Sequence, residues 1–245
     1  MIAVIQLIET HTVYENAKPM LRSRHGYFPG VVQLPSGELV ALFVMGEAFE
    51  SVDLTTYVTR STDLGRTWQL QGPLFERTPG ARPTSDFLKP QLLRDGRLIA
   101  PGYRFHRDDP KQPIAIAETD GALPGDDVVS FSTDEGWTWS EPAVIPRSTP
   151  ELLEIPSRPI QIASGDILAT TGLFKMPDGS NPSGQFGPLL RSTDGGQTWD
   201  DSVRYFDSPG HTIAAYESHL AELQPGRIAA ICWAFDLAAG RYLPN

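Results

Sequence analysis

The sequence predicts an all-β chain, a β-propeller of four-stranded antiparallel blades, on the evidence of two repeats that run in phase. The first is Ser-x-Asp-x-Gly-x-Thr-Trp, which occupies residues 61–68, 132–139 and 192–199. The second is an apolar hairpin turning at Gly37, Gly96, Gly165 and Gly226, glycines that lie 59, 69 and 61 residues apart. A Ser-x-Asp segment follows each of the first three hairpins, so one unit is two hairpins. Four strands per period of this size is the mark of propeller blades.

Within each unit the turn chemistry explains the repeated residues. Strand-like runs at Thr55–Arg60, Val128–Phe131 and Gly187–Arg191 lead into the three Ser-x-Asp segments, which read as hairpin turns joining strands 3 and 4. An Asp heading a turn accepts backbone N–H bonds two residues on, and the glycine supplies a positive φ. The Thr hydroxyl braces the carboxylate, and the Trp lays an apolar plate between sheets. Asp63, Asp134 and Asp194 are therefore expected to be scaffold. No helical periodicity of any length runs through the chain; Ala214–Leu223 alone imitates a short helix, and the opening stretch Met1–Thr10 reads as a strand.

A hydrophobic content of 40% with 22 Gly and 22 Pro suits a turn-rich β protein. The in-phase repeats make residues 1–245 one domain. A six-bladed ring at this period needs about 380 residues, and the sequence holds three units and the first hairpin of a fourth. Two expectations follow: a C-terminally truncated piece of a longer propeller, which is favoured, or an unusual four-bladed ring. A net charge of −10 argues against nucleic acid or an anionic membrane as partner. The start lacks the basic region of a signal peptide and no stretch reaches transmembrane length, which leaves a cytoplasmic location as the default. Cys232, the only cysteine, sits in the apolar run Ile228–Trp233 and reads as a packed, inert thiol. The five histidines have no zinc-type spacing, so neither metal nor cofactor is expected.

In a propeller blade the channel mouth is ringed by the heads of the innermost strands and by the loops between strands 2 and 3. Glu217, Glu154 and Asp86 occupy such heads in blades 4, 3 and 2, and Glu50 and Asp53 lie in the 2–3 loop of blade 1. Glu217 is singled out because it directly precedes an apolar stretch, where a charge facing protein needs a reason. Carboxylates around one channel can supply a general acid and a base when neighbours push their pKa values apart. Arg24, Arg104 and Arg158 join them as candidate anion or sugar ligands.

The repeated Ser-x-Asp-x-Gly-x-Thr-Trp resembles the Asp-box, or BNR repeat, of the sialidase-like propellers, and the likeness runs from about Arg22 to the end of the chain. What the resemblance implies is a six-bladed glycoside hydrolase in which a glutamate activates a tyrosine nucleophile, an aspartate is the acid/base and three arginines clamp a sialic-acid carboxylate. Tyr216-Glu217-Ser218 looks like the family's Asn-Glu-Ser segment, which makes Glu217 similar to the activating glutamate, with Glu50 or Asp53 in the acid/base stretch. The arginine clamp is not matched. Tyr27 stands where the first arginine is expected, the strand Ile231–Phe235 holds none, and the third arginine and the nucleophile fall beyond Asn245. Tyr216 cannot replace the nucleophile, because adjacent strand residues point to opposite sides; it is kept as a substrate contact. The resulting expectation is a sialidase-like glycoside hydrolase acting on a glycan, exo-sialidase action included; the alternative is a non-catalytic carbohydrate- or protein-binding propeller.

Overall fold

Strands that carry long apolar runs are buried on both faces, and this sets the architecture. Leu39–Gly46 and Leu98–His106 are largely apolar and buried almost throughout, which a strand achieves only when both faces of its sheet are covered. The computed structural model describes residues 6–244. Its strands form four antiparallel blades in sequence order, each packed on the next.

Blade 1 is β1 (His25–Gln33), β2 (Leu39–Gly46), β3 (Thr55–Ser61) and β4 (Gln69–Pro73), ordered from the channel outwards. Blade 2 has a broken inner strand, β5 (Thr84–Leu88) and β6 (Gln91–Leu92), then β7 (Leu98–His106). A small hairpin, β8 (Ala115–Ile116) and β9 (Gly121–Ala122), precedes its outer strands β10 (Gly125–Ser132) and β11 (Ala143–Ile145). In blade 3 both inner strands are broken: β12 (Leu153–Glu154) and β13 (Ile160–Gln161) pair with β15 (Gly172–Leu173) and β14 (Ile167–Thr170). Its outer strands are β16 (Phe186–Ser192) and β17 (Asp200–Asp207). Blade 4 is β18 (Ile213–Gln224), β19 (Arg227–Asp236) and β20 (Arg241–Tyr242).

The stretch Ala214–Leu223, helix-like in sequence, is the strand β18; the one helical segment among the described residues is a 3-10 turn at Pro209–His211. No helix there is long and apolar enough to cross a membrane. The strand expected over Met1–Thr10 is a correction: residues 1–5 lie outside the described residues, and residues 6–10 form none. Residues 6–24 instead run over the outer face of blade 1, where the Tyr14 ring meets Phe43 at 5.4 Å and Glu9 accepts from Arg66 at 3.0 Å.

The three Ser-x-Asp turns join β3 to β4, β10 to β11 and β16 to β17, as expected, and share one bonding scheme. The Asp accepts from the Thr backbone N–H four residues on, at 2.8–2.9 Å, rather than two residues on. The Thr hydroxyl donates to its second oxygen at 2.6–2.7 Å, and the Ser hydroxyl accepts the Gly N–H at 2.8 Å. The Trp indole N–H closes the loop on the Gly carbonyl at 2.9–3.2 Å. The carboxylate is so well supplied with donors that Asp63 and Asp194 are held down at a pKa of about 2, by the Thr67 and Thr198 bonds first.

Blades are fastened to each other by buried polar groups as well as by apolar packing. On β3 the Thr56 hydroxyl donates to the Asp86 carbonyl (3.1 Å) and accepts from Leu88 N–H (3.2 Å). Between blades 3 and 4 the Thr170 hydroxyl donates to the Ser218 carbonyl at 3.0 Å. Asp127, wholly buried, takes the Leu153 N–H at 3.2 Å and the Arg147 guanidinium at 3.3 Å; burial nevertheless pushes its pKa up to about 7.

Candidate functional site

Two irregularities in the inner strands create the site. In β1 the register slips between Tyr27 and Gly30, and in β18 between Tyr216 and His219. At those bulges Phe28 and Glu217 adopt left-handed backbone, φ 51° and 48°, a conformation unfavourable for side-chain-bearing residues. The β18 bulge is pinned from outside: Ser218 accepts from Thr170 through its carbonyl, and its hydroxyl accepts from the Tyr205 phenol at 2.8 Å. A third left-handed residue, Glu50 (φ 64°), lies in the loop between β2 and β3. All three line one cavity of about 280 Å³ at the channel mouth. Strained backbone of this kind gathers where a surrounding structure enforces a functional geometry.

The walls of that cavity are aromatic. Phe28 meets Phe87 at 6.0 Å, Phe87 stacks on Tyr103 at 5.1 Å, and Tyr103 and Phe105 each meet Phe174 at 5.3 Å. Into this lining project Glu50, Glu154 and Glu217. Lys89 lies buried beside it, with its ammonium 5.4 Å from the centre of the Phe28 ring.

These charges act on each other without being paired: among the described residues Glu50, Glu154, Glu217 and Lys89 take part in no ion pair. Burial, and then the charge of Glu217, push Glu154 up to about 7, against the pull of Lys89. Burial pulls Lys89 down to about 8, opposed by Glu217 and Glu154. Burial and the same two glutamates lift the Tyr103 phenol well above its ordinary range. A carboxyl poised near neutrality beside a second carboxylate is the arrangement that proton transfer requires. Gly172 leaves it room, since a Cβ there would come within 3.2 Å of the Glu154 carboxylate.

A larger cleft of about 760 Å³ opens between blades 1 and 2 and includes Asp53, Arg77, Arg104, His106 and Asp126. Most of its charges are paired with each other. Asp53 binds Arg24, Ser51 at 2.6 Å and Glu47 N–H at 3.0 Å, and these bonds outweigh burial to hold its pKa low. Asp126 accepts from Arg104 at 2.9 Å and lies 3.0 Å from His106; it too stays low despite burial.

Of the residues the sequence offered, Glu217, Glu154 and Glu50 meet in the aromatic cavity, while Asp53 and Arg104 line the cleft and Arg24 joins it only through its bond to Asp53. Asp86 faces neither. It is fully buried against blade 1, taking Thr55 hydroxyl (2.6 Å), Thr56 N–H (3.1 Å) and Arg77 (2.7 Å). Strand alternation explains this, because its neighbour Phe87 lines the cavity and Asp86 must point the other way. Arg158 donates to Gln91 at 3.0 Å, farther down the channel towards the 1–2 turns, three residues before Gln161 receives the turn amide of Arg94. Tyr216 packs edge-on against Phe235 at 6.4 Å. Glu217, expected to face protein, is exposed to the cavity instead. Lys89 and the rings were not foreseen, although Phe87-Leu88-Lys89 places a lone cation two residues from a lining ring, on the same side of an extended chain.

Comparison with solved structures agrees with the geometry. A protein of unknown function from Dyadobacter fermentans superimposes with a TM-score of 0.70 at 22% identity, covering 91% of this chain and 65% of its own. A Hadza microbial sialidase gives 0.59 at 20% identity, covering 88% and 45%. The Penicillium chrysogenum α-L-arabinanase complexed with arabinobiose gives 0.62 at 18%, covering 89% and 60%. This chain thus spans between 45% and 65% of the length of those three. No protein-family model matches the sequence, and no curated protein does. The fold is that of the sialidase-like β-propellers, an architecture these glycoside hydrolases share.

Proposed function

We propose that this protein is a glycoside hydrolase acting on a glycan, with Glu154 as general acid and Glu217 as the opposing carboxylate. The observation that carries the reading is the pair itself. Two unpaired glutamates from the inner strands of adjacent blades share one cavity, and one of them is raised to about 7. Near neutral pH Glu154 retains a proton to give to a leaving glycosidic oxygen, while Glu217, open to the cavity, serves as base or nucleophile. Glu50, whose carboxylate accepts the Ala115 N–H at 3.1 Å, completes the acidic wall. The sialidase and the arabinanase among the structural neighbours act on glycans on the same fold, which supports the class. Asp53 and the Arg104 guanidinium border the neighbouring cleft, where a longer glycan extends.

Hydrolysis of a panel of aryl glycosides by the wild type, Glu154→Gln and Glu217→Gln is the test. Either substitution is expected to lower kcat/KM by about 10²-fold or more, with wild-type activity falling as pH rises past about 7 and Glu154 loses its proton. Equal turnover by all three proteins removes the pair from catalysis. Sugar binding with no product from any of them favours the non-catalytic propeller, a reading for which the aromatic walls alone suffice.

A further inference from the structure

The chemistry of the cavity wall also bears on which sugars enter. Three carboxylates face the space and, among the described residues, no arginine lines it. Lys89 is buried behind the Phe28 ring with only 5% of its surface exposed, and it is outnumbered by Glu154 and Glu217. The guanidinia at this end of the propeller are engaged elsewhere: Arg24 with Asp53, Arg77 with Asp86, Arg104 with Asp126, while Arg107 is buried behind the loop that carries Glu50, donates to the Glu50 backbone carbonyl at 2.9 Å and does not line the cavity. A carboxylate brought into the cavity would therefore meet like charge at close range in a poorly solvated space, with no fork to receive it. What the cavity does offer is ring faces, from Phe28, Phe87 and Phe174 among others. Such faces pack against the C–H surface of a sugar ring. With a volume of about 280 Å³, at the small end of ligand sites, the space suits a single sugar unit.

We propose that the cavity selects an uncharged sugar unit held against aromatic faces, and that it rejects sugars bearing a carboxylate, sialic and uronic acids alike. The selection rests on the glycan-binding reading above but not on hydrolysis. It departs from what the fold's resemblance alone implies, a clamp of three arginines on a sialic-acid carboxylate.

The test is direct binding, by saturation-transfer NMR titration, of p-nitrophenyl glucoside, galactoside, mannoside, xyloside, rhamnoside and arabinofuranoside. These are set against p-nitrophenyl glucuronide, galacturonide and sialoside, with release of nitrophenol followed in parallel. At least one neutral glycoside is expected to bind tenfold or more tightly than every acidic one. At about pH 8, where Glu154 has given up its proton, Glu154→Gln removes one like charge and keeps the shape, and that gap is expected to narrow at least threefold. An acidic glycoside binding as well as the best neutral one overturns the inference, as does the absence of binding by any neutral glycoside. A gap unchanged in Glu154→Gln overturns its electrostatic origin. Neutral binding without nitrophenol release would sink the hydrolase reading and leave the selectivity standing. Turnover of the sialoside would do the reverse.

Discussion

Burial lifts Glu154 from the ordinary carboxyl range to about 7, and the neighbouring charge of Glu217 adds to the lift. The shift has a sign in stability as well as in catalysis. Between about pH 4.5 and 7 the folded protein holds a proton that the unfolded chain has released, so this carboxyl contributes most at low pH and its contribution is lost as pH rises through that window. Asp127, raised from 3.8 to about 7, acts in the same direction. The turn aspartates Asp63 and Asp194, held at about 2, titrate below the window and do not mask it. Urea denaturation is expected to show stability declining from about pH 5 to about pH 8, with a shallower decline in Glu154→Gln. A profile equally steep in that variant removes Glu154 as a source. Nothing in the sequence announces this: Glu154 is one acidic residue among thirty, and only its surroundings single it out.

The bulges of β1 and β18 are the elements on which the site turns. A regular β18 would alternate faces through Glu217; the bulge instead turns Glu217 into the cavity and seats Ser218 against Thr170 and Tyr205. The φ of 48° costs on the order of 1 kcal/mol for a residue with a side chain. Glu217 makes no hydrogen bond or ion pair among the described residues that would repay it. Glu217→Gly is therefore expected to stabilise the fold by up to about 1 kcal/mol in urea denaturation while removing turnover. A loss of stability would show that the strained conformation is not what the side chain costs. The Ser-x-Asp turns present the opposite case. Their hairpins were legible in the sequence because the same residues serve the same local bonds three times, whereas the bulges depend on what blade 3 places against blade 4.

Across the whole molecule, burial falls off towards blade 4. The β2 and β7 strands are sandwiched and buried, whereas β19 is exposed along most of its length, with Ile231 72% and Trp233 56% accessible. Its amides are expected to exchange with deuterium well before those of β7 and β10; equal protection across the blades would contradict a graded array. The sequence by itself determined the strands of the blades, the hairpins, their repeat into blades and the end of the propeller at which the candidate carboxylates lie, because each of these follows from local turn chemistry and apolar periodicity. It also offered Glu154, Glu217 and Glu50. Tertiary structure alone decided that those three share a cavity while Asp86, one residue from the lining ring Phe87, turns into the blade 1 interface with Arg77. It alone set Lys89 behind an aromatic wall. The physical reason is that a side chain's face is fixed by register and bulges, and its charge by neighbours remote in sequence; neither is written in the order of residues around it.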